Sequence, residues 1–308
     1  MRIRATVAAV TGALALSALA VPAAQAAGGS SYGKEDIQKA AWAASGKTAY
    51  TGTTADAAEP YPLDLTFSSV KINNGKPIVA GTTNKVTVPV TYKVTHSADL
   101  DITAPDVFLD VDIYRGADYV NAANRLWGDD WPTCTVTSTT TATCKGTIDV
   151  LPSQELNNVD ATTWKAGGYV YDFNDQLGRE FEDIDWSKVG YAEQDNLATT
   201  KLQRYSKLTV NASPEPVKKG KTITVTGKLS RANWDDNKYH GYTGQPVKLQ
   251  FRKKGSSTYT TVKTIKTNST GNLKTTVKAA QDGYFRYSFA GTSTTPAVTT
   301  AGDFVDVK

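Results

Sequence analysis

Alternating apolar and polar positions dominate the last third of the chain. Apolar and polar side chains alternate in residues 222–227, 247–251, 273–279 and 285–289, with Thr275 at one of the apolar positions of the third run. A period of two places those side chains on one face of a strand, which then packs against a second sheet. With further runs at 208–212, 259–266 and 304–307, the pattern predicts a seven-stranded β-sandwich over residues 206–308.

Residues 61–205 show the same pattern in less regular form. Strands are predicted at 63–72, 86–96, 107–114, 133–143, 146–151, 168–173 and 200–205, with turn residues such as those at 73–75 between them. We expect a short helical turn at 160–164 and an irregular acidic segment at 174–196. The fold class is therefore all-β, with two β-sandwich domains at 61–205 and 206–308.

The N-terminal segment has the features of a secretory leader. Arg2 and Arg4 precede an apolar run at 5–21, and Ala24, Gln25 and Ala26 form an A-x-A site. We therefore expect a signal peptide at 1–26 and a flexible arm at 27–60 with one short helix at 35–44. No later run is long and apolar enough to span a bilayer. The prediction is a secreted, extracellular protein.

Cys134 and Cys144 are the only cysteines. Two threonine-rich half-strands about a turn near Thr139 bring them opposite each other, and in an oxidising compartment they form a disulfide.

A resemblance adds to this picture in the last third. Residues 219–231 (KGKTITVTGKLSR), 244–252 (GQPVKLQFR), 270–273 (TGNL) and 284–291 (YFRYSFAG) resemble the C-terminal Ig-like module of secreted actinobacterial proteins. The resemblance implies an Ig-like fold for this sandwich and carries over no catalytic residue.

The two predicted domains carry opposite charge. Residues 27–205 hold 15 Lys/Arg against 24 Asp/Glu, whereas residues 206–308 hold 17 against 6. Such a division indicates different partners for the halves, or association of one half with the other, by intramolecular docking or by head-to-tail self-association. The basic residues lie at polar positions of the strands and turns: Lys218, Lys219, Lys221, Lys248, Arg252, Lys253, Lys254, Lys263, Lys266, Lys274 and Lys278. They favour a polyanionic partner, although no motif for specific nucleic-acid binding is present.

Calcium is a second candidate ligand. Asp110 and Asp112 lie two positions apart on the predicted outward face of a strand whose other face is apolar. Asp99, Asp101 and Asp106 lie in the preceding loop. Ca²⁺ takes six to eight oxygen ligands, which extracellular β domains supply from such carboxylates. The plainer interpretation is a solvated edge, and no cofactor is otherwise expected.

Two aromatic loops are candidate carbohydrate surfaces. Trp127 and Trp131 flank a pair of aspartates, and a later loop contains Trp234, Tyr239 and Tyr242. Exposed rings beside hydrogen-bonding groups stack on sugars, whereas buried tryptophans in sandwiches serve packing.

Catalysis finds little support. The two histidines, His96 and His240, lie far apart, and the acidic residues Glu180, Glu182, Asp183 and Asp185 show no spacing that identifies a glycosidase. We therefore expect a non-enzymatic binding or structural protein associating with a cell-wall polymer, a glycan or an extracellular protein. The alternatives are a calcium-binding adhesion-type protein and an extracellular hydrolase.

Overall fold

The computed structural model of the chain describes Lys34, residues 60–179 and residues 183–308. The predicted signal peptide and the rest of the predicted arm, with its short helix, lie outside these residues. Strands are β1 Tyr61–Pro62, β2 Leu65–Ile72, β3 Ile78–Ala80, β4 Val86–His96, β5 Val107–Arg115, β6 Asn124–Leu126, β7 Thr133–Ser138, β8 Thr141–Val150, β9 Thr163–Asp172, β10 Gly190–Arg204, β11 Ser206–Leu208, β12 Asn211–Ser213, β13 Thr222–Asn233, β14 Lys238–Gly241, β15 Pro246–Lys253, β16 Thr260–Lys266, β17 Asn272–Lys278, β18 Gly283–Phe289, β19 Val298–Thr299 and β20 Asp303–Val305. The described α-helix is α1 Pro152–Glu155, and short 3-10 turns occupy Asn73–Gly75, Asn158–Asp160, Asn174–Gln176 and Trp186–Lys188.

The chain divides into two compact units, and the all-β prediction is confirmed. The first unit comprises the described residues of Met1–Lys76, Thr87–Val150 and Trp164–Thr200. The second comprises Pro77–Val86, Leu151–Thr163 and Lys201–Lys308. The domain bounds expected from the sequence stay a prediction.

The first unit contains two sheets. One runs β2-β4-β8-β7, and the other runs β1-β10-β9-β5-β6. The expected strand at 86–96 is β4, and its alternation is visible as buried residues at every second position. By contrast β5 is buried along both faces, since seven consecutive residues inside it are inaccessible. A strand covered on both sides has no solvent face for its polar side chains.

The second unit is a β-sandwich with the Ig-like strand arrangement. In chain order, the second and fifth predicted strands are those at 222–227 and 273–279, and they pair as β13 and β17. Strands β11 and β12 lie along the other edge of β13. The third and sixth predicted strands, at 247–251 and 285–289, pair as β15 and β18. This pair is flanked by β16 on one side and β20 on the other. Ig-like domains have this arrangement, in which the second and fifth strands lie in one sheet and the third and sixth lie in the other.

The core of this sandwich is built from the alternating runs. Its buried residues come from both sheets: Ile223, Val225, Leu229, Leu273, Val247, Leu249, Phe285, Tyr287 and Phe289. The Tyr287 hydroxyl crosses the core and donates to the carbonyl of Val225 at 3.0 Å. A buried hydroxyl needs such a partner, and this one joins the two sheets.

Two local expectations were wrong. The turn expected at 160–164 is a 3-10 turn at Asn158–Asp160, and Trp164 already lies inside β9, fully buried. The segment expected to be irregular up to 196 becomes strand from Gly190, because β10 pairs with β9 and β1. These pairings join distant parts of the chain, which local alternation does not report.

Candidate functional site

The predicted disulfide is confirmed. Cys134 and Cys144 are directly opposed partners on β7 and β8, with Cα atoms 4.0 Å apart, and the connecting turn lies at residues 139–140. Cys144 is fully buried. The bridge fixes the hairpin that forms one edge of the β2-β4-β8-β7 sheet.

Asp110 and Asp112 do not lie on a solvated face, which corrects that expectation. Both side chains are buried in β5, with 1% and 0% exposure. Phe108 of the same strand belongs to a buried aromatic cluster that also contains Tyr169 of β9 and Trp186. Burial is the main cause that raises the pKa of Asp110 well above its ordinary value; the Lys34 ammonium opposes the rise and the Asp112 carboxylate adds to it.

The five aspartates proposed as calcium ligands are not gathered into one group. Asp99 and Asp101 are exposed, and Asp101 Oδ1 accepts hydrogen bonds from the Thr103 amide at 2.9 Å and hydroxyl at 2.6 Å. These bonds lower the pKa of Asp101. Among the described residues no set of three or more His, Cys, Asp or Glu side chains is arranged to hold a metal ion.

Asp112 belongs to a buried polar network that the sequence did not reveal. The Tyr119 hydroxyl donates to Asp112 Oδ2 at 2.9 Å, and the Arg125 guanidinium lies 4.2 Å from the Tyr119 ring centre. Burial raises the pKa of Tyr119, so this hydroxyl keeps its proton. The Tyr119 ring fills the space above Gly167, where a Cβ would approach it to 2.4 Å. The network thus supplies a hydrogen bond to one oxygen of a carboxylate inside the fold.

The first aromatic loop is only partly accessible. Trp127 and Trp131 are half-buried. Trp131 packs on Phe108 with ring centres 5.0 Å apart, and the Lys34 ammonium lies 5.2 Å from the Trp131 ring centre. This loop therefore contributes to the interior around Asp110, and its role as a ligand surface stays a prediction.

Trp234, in the second aromatic loop, is buried, which agrees with the packing role that was the alternative to a ligand surface. Its side chain is 2% exposed, and Nε1 donates to the Gly81 carbonyl at 2.7 Å. Tyr239 and Tyr242 are half-buried beneath cations of the same unit: Lys207 lies 3.6 Å from the Tyr239 ring centre and Arg231 lies 4.0 Å from that of Tyr242. These rings already stack on cationic partners.

The structure assembles a different aromatic surface on the second unit. We call this surface the Arg–Tyr face, and it consists of Arg252, Arg286, Tyr259, Tyr284 and Phe304. The Arg286 guanidinium lies 3.6 Å from the Tyr259 ring centre, and that of Arg252 lies 4.1 Å from the Tyr284 ring centre. The Tyr284 and Phe304 ring centres are 5.1 Å apart.

Strand register explains this face. Arg252 is the cross-strand partner of Tyr284, and Tyr284 in turn is the partner of Phe304, so the three side chains share the outer side of the sheet. Arg286 Nε is held by Gln250 Oε1 at 2.8 Å. The alternation of polar positions in β15 and β18 was a signal for this surface, but only the register shows which residues adjoin.

The unit that carries the Arg–Tyr face also carries many exposed lysines. Of the eleven basic residues singled out from the sequence, all but the half-buried Arg252 are exposed. Lys254 extends over the Phe304 ring at 5.4 Å and pairs with Asp282 at 3.4 Å. Lys263 instead joins the edges of the two sheets, because its ammonium donates to the Thr275 hydroxyl and the Thr276 carbonyl, both at 3.1 Å.

The candidate catalytic groups have local structural partners. His240 pairs with Asp236 at 2.6 Å within its own loop, and His96 Nδ1 lies 2.9 Å from the Ser97 carbonyl. Asp185 caps the 3-10 turn at Trp186–Lys188 by accepting from Ser187. Glu180 and Glu182 lie outside the described residues.

Comparison with known proteins identifies no family. No family model matches the chain, and no curated protein matches it. Among solved structures it is similar to an I-band fragment of titin (10% identity, TM-score 0.30, covering 80% of this chain and 66% of that one). It is also similar to an adhesin of Yersinia pseudotuberculosis (13% identity, TM-score 0.22, covering 79% of this chain and 60% of that one). The chain thus spans less than two thirds of either, and TM-scores this low carry no functional argument. No helix in the described part of the chain is long and apolar enough to cross a membrane.

Proposed function

We propose that this protein is a secreted, non-enzymatic binding or structural protein that associates with an acidic extracellular polymer, such as a cell-wall polymer or an acidic glycan. The observation that carries the proposal is the Arg–Tyr face, which lies on a unit with many exposed lysines. Two guanidinium groups stand beside three aromatic rings on the outer side of one sheet. Extracellular location is supported by the disulfide and by the leader-like N-terminal sequence.

The chemistry of this face suits anionic sugars or phosphates. Guanidinium groups form paired hydrogen bonds with carboxylate or phosphate oxygens, and aromatic rings offer flat apolar surfaces to sugar rings. Exposed lysines such as Lys248 and Lys266 add attraction over a longer range. Such binding weakens as salt screens the charges.

The test uses the chain without residues 1–26, applied to purified cell wall and to beads carrying polyphosphate, a polyuronate or neutral dextran. We expect retention on the acidic matrices that falls with added salt, and none on dextran. Replacing Arg252 and Arg286 with glutamine removes about 1 kcal/mol of binding free energy for each charge near an anionic surface. The affinity for the acidic matrices should therefore fall roughly thirtyfold.

A matched variant removes two positive charges elsewhere. Lys71 and Lys93 are exposed in the first unit, and their replacement by glutamine should leave retention nearly unchanged. Equal losses in the two variants would show that only net charge matters, and absent or salt-independent retention would refute the polymer proposal. Light scattering at low salt separates polymer binding from the competing outcome, in which the oppositely charged halves of two copies associate and the protein forms larger particles without polymer.

A further inference from the structure

A buried lysine and a buried aspartate meet inside the first unit. Lys34 Nζ contacts Asp110 Oδ2, and the two residues are 76 positions apart in the chain. Their side chains are 3% and 1% exposed. Charged side chains are rarely buried this completely, because removal from water costs each of them several kcal/mol.

The surroundings of this pair are nearly closed to solvent. The Lys34 ammonium faces the Trp131 ring and also donates to the Gly128 carbonyl at 3.2 Å. Asp110 Oδ1 accepts from the Val111 amide at 2.7 Å. Each member of the pair therefore has one fixed hydrogen bond in addition to their mutual contact.

Burial favours the neutral form of the Asp110 carboxyl. It raises the pKa of Asp110, and the Asp112 carboxylate, two residues along the same strand, adds to the rise. Transfer of one proton across the Lys34 Nζ–Asp110 Oδ2 contact converts the ion pair to an amine and a carboxylic acid. A desolvated neutral lysine is a nucleophile, and a protonated carboxyl is an electrophile with a hydroxyl to lose.

We propose that Lys34 and Asp110 condense to an intramolecular amide that covalently joins the segment containing Lys34 to β5. The Lys34 Nζ lone pair attacks Asp110 Cγ and forms the C–N bond. The C–Oδ2 bond then breaks, and Oδ2 leaves as water with one proton from the carboxylic acid and one from the nitrogen. No oxidant, reductant or activated co-reactant is needed.

The fixed hydrogen bonds match what the product requires. An amide retains one N–H and one carbonyl oxygen, and both must be satisfied in a buried site. The N–H of the product keeps the Gly128 carbonyl as its acceptor, and Oδ1 keeps the Val111 amide as its donor. Only Oδ2, the oxygen in contact with the lysine, is expelled. The reaction thus removes two buried charges without leaving a polar group unpaired.

The bond would give the first unit a closed loop independent of the disulfide. It ties Lys34 to a strand in the interior of the sheet, whereas Cys134 and Cys144 join neighbouring strands of one hairpin. A covalent tie of this kind resists proteolysis and mechanical pulling, which suits a protein held on an extracellular polymer but does not depend on that function.

Intact mass spectrometry tests the bond directly. After denaturation and reduction of the disulfide, the purified folded chain should weigh one water molecule less than its sequence requires. Tryptic digestion should yield one branched peptide joining the Lys34 and Asp110 segments. Wild-type protein at the full sequence mass, with unbranched peptides, overturns the proposal.

Variants distinguish this linkage from other losses of water. Lys34→Arg keeps the positive charge but cannot supply a neutral amine, so it should have the full mass, as should Asp110→Ala. Lys93→Arg, an exposed site in the same unit, should still lose water. Persistence of the loss in Lys34→Arg would assign it to another position and overturn the proposal. Because mass is read on denatured chains, a poorly folded variant does not obscure the wild-type result.

Discussion

Replacing Trp234 with alanine should destabilise the second unit, because this side chain is buried and is not a ligand platform. Its ring is 2% exposed, and its Nε1–H donates to the Gly81 carbonyl at 2.7 Å. Truncation of a buried tryptophan to alanine costs about 3–5 kcal/mol through lost burial and the cavity left behind. Phenylalanine retains much of the ring but removes the donor, which costs about 1 kcal/mol for the hydrogen bond plus a smaller packing loss.

Differential scanning calorimetry measures both variants. For a unit of this size 1 kcal/mol corresponds to roughly 3–4 °C in the thermal midpoint, so Trp234→Ala should melt roughly 10–20 °C below wild type. Tyr239→Phe, in the same loop, keeps a ring that is only half-buried under Lys207 and should shift the midpoint by a few degrees at most. If Trp234→Ala melts like wild type but loses polymer binding, the argument from burial is refuted and Trp234 is a contact residue.

Two further predictions concern the first unit. Replacing Cys134 and Cys144 with serine should lower the free energy of unfolding by about 3 kcal/mol for a ten-residue separation, measured by urea denaturation; an unchanged midpoint would mean that the β7–β8 pairing alone holds the hairpin. In Lys34→Met the Asp110 carboxyl stays free to titrate, and burial keeps its folded pKa above the unfolded value. Stability is then greatest at low pH and is lost as the pH rises through the folded pKa, so the thermal midpoint should fall between about pH 5 and about pH 8. The fall should be smaller in Lys34→Met/Asp110→Asn, and an equal fall in both variants would contradict the assignment to Asp110.

The strands were predictable where one face is buried and the other is solvated. The run at 86–96 is strand β4 with the expected bounds, and the β15–β18 pair has the predicted alternation of buried and accessible residues. Local pattern suffices there because a period of two and a single buried face specify both the element and its orientation. The disulfide was predictable for a similar reason, since a short hairpin places its two ends together.

Prediction failed where a second layer covers the polar face of a strand. In β5 the alternation of aspartates with apolar residues predicts a solvent face, yet seven consecutive residues of the strand are buried, and the adjoining aromatic cluster includes Tyr119 and Trp186 from other segments. For Trp234 the sequence left exposure and burial both open, because the group that accepts its hydrogen bond, the Gly81 carbonyl, lies 153 positions away. Neither contact is marked in the sequence near the residues that it involves.

The amino-acid sequence by itself determined that the chain forms β-sheets, where its regular strands lie, which cysteines pair and how charge divides between its halves. Those properties depend on neighbours a few positions apart. Only the tertiary structure decided which polar residues are buried, which cations and rings form the Arg–Tyr face, and that Lys34 meets Asp110. Each of these depends on strand register or on contacts between segments tens of residues apart, which chain folding creates and local periodicity does not record.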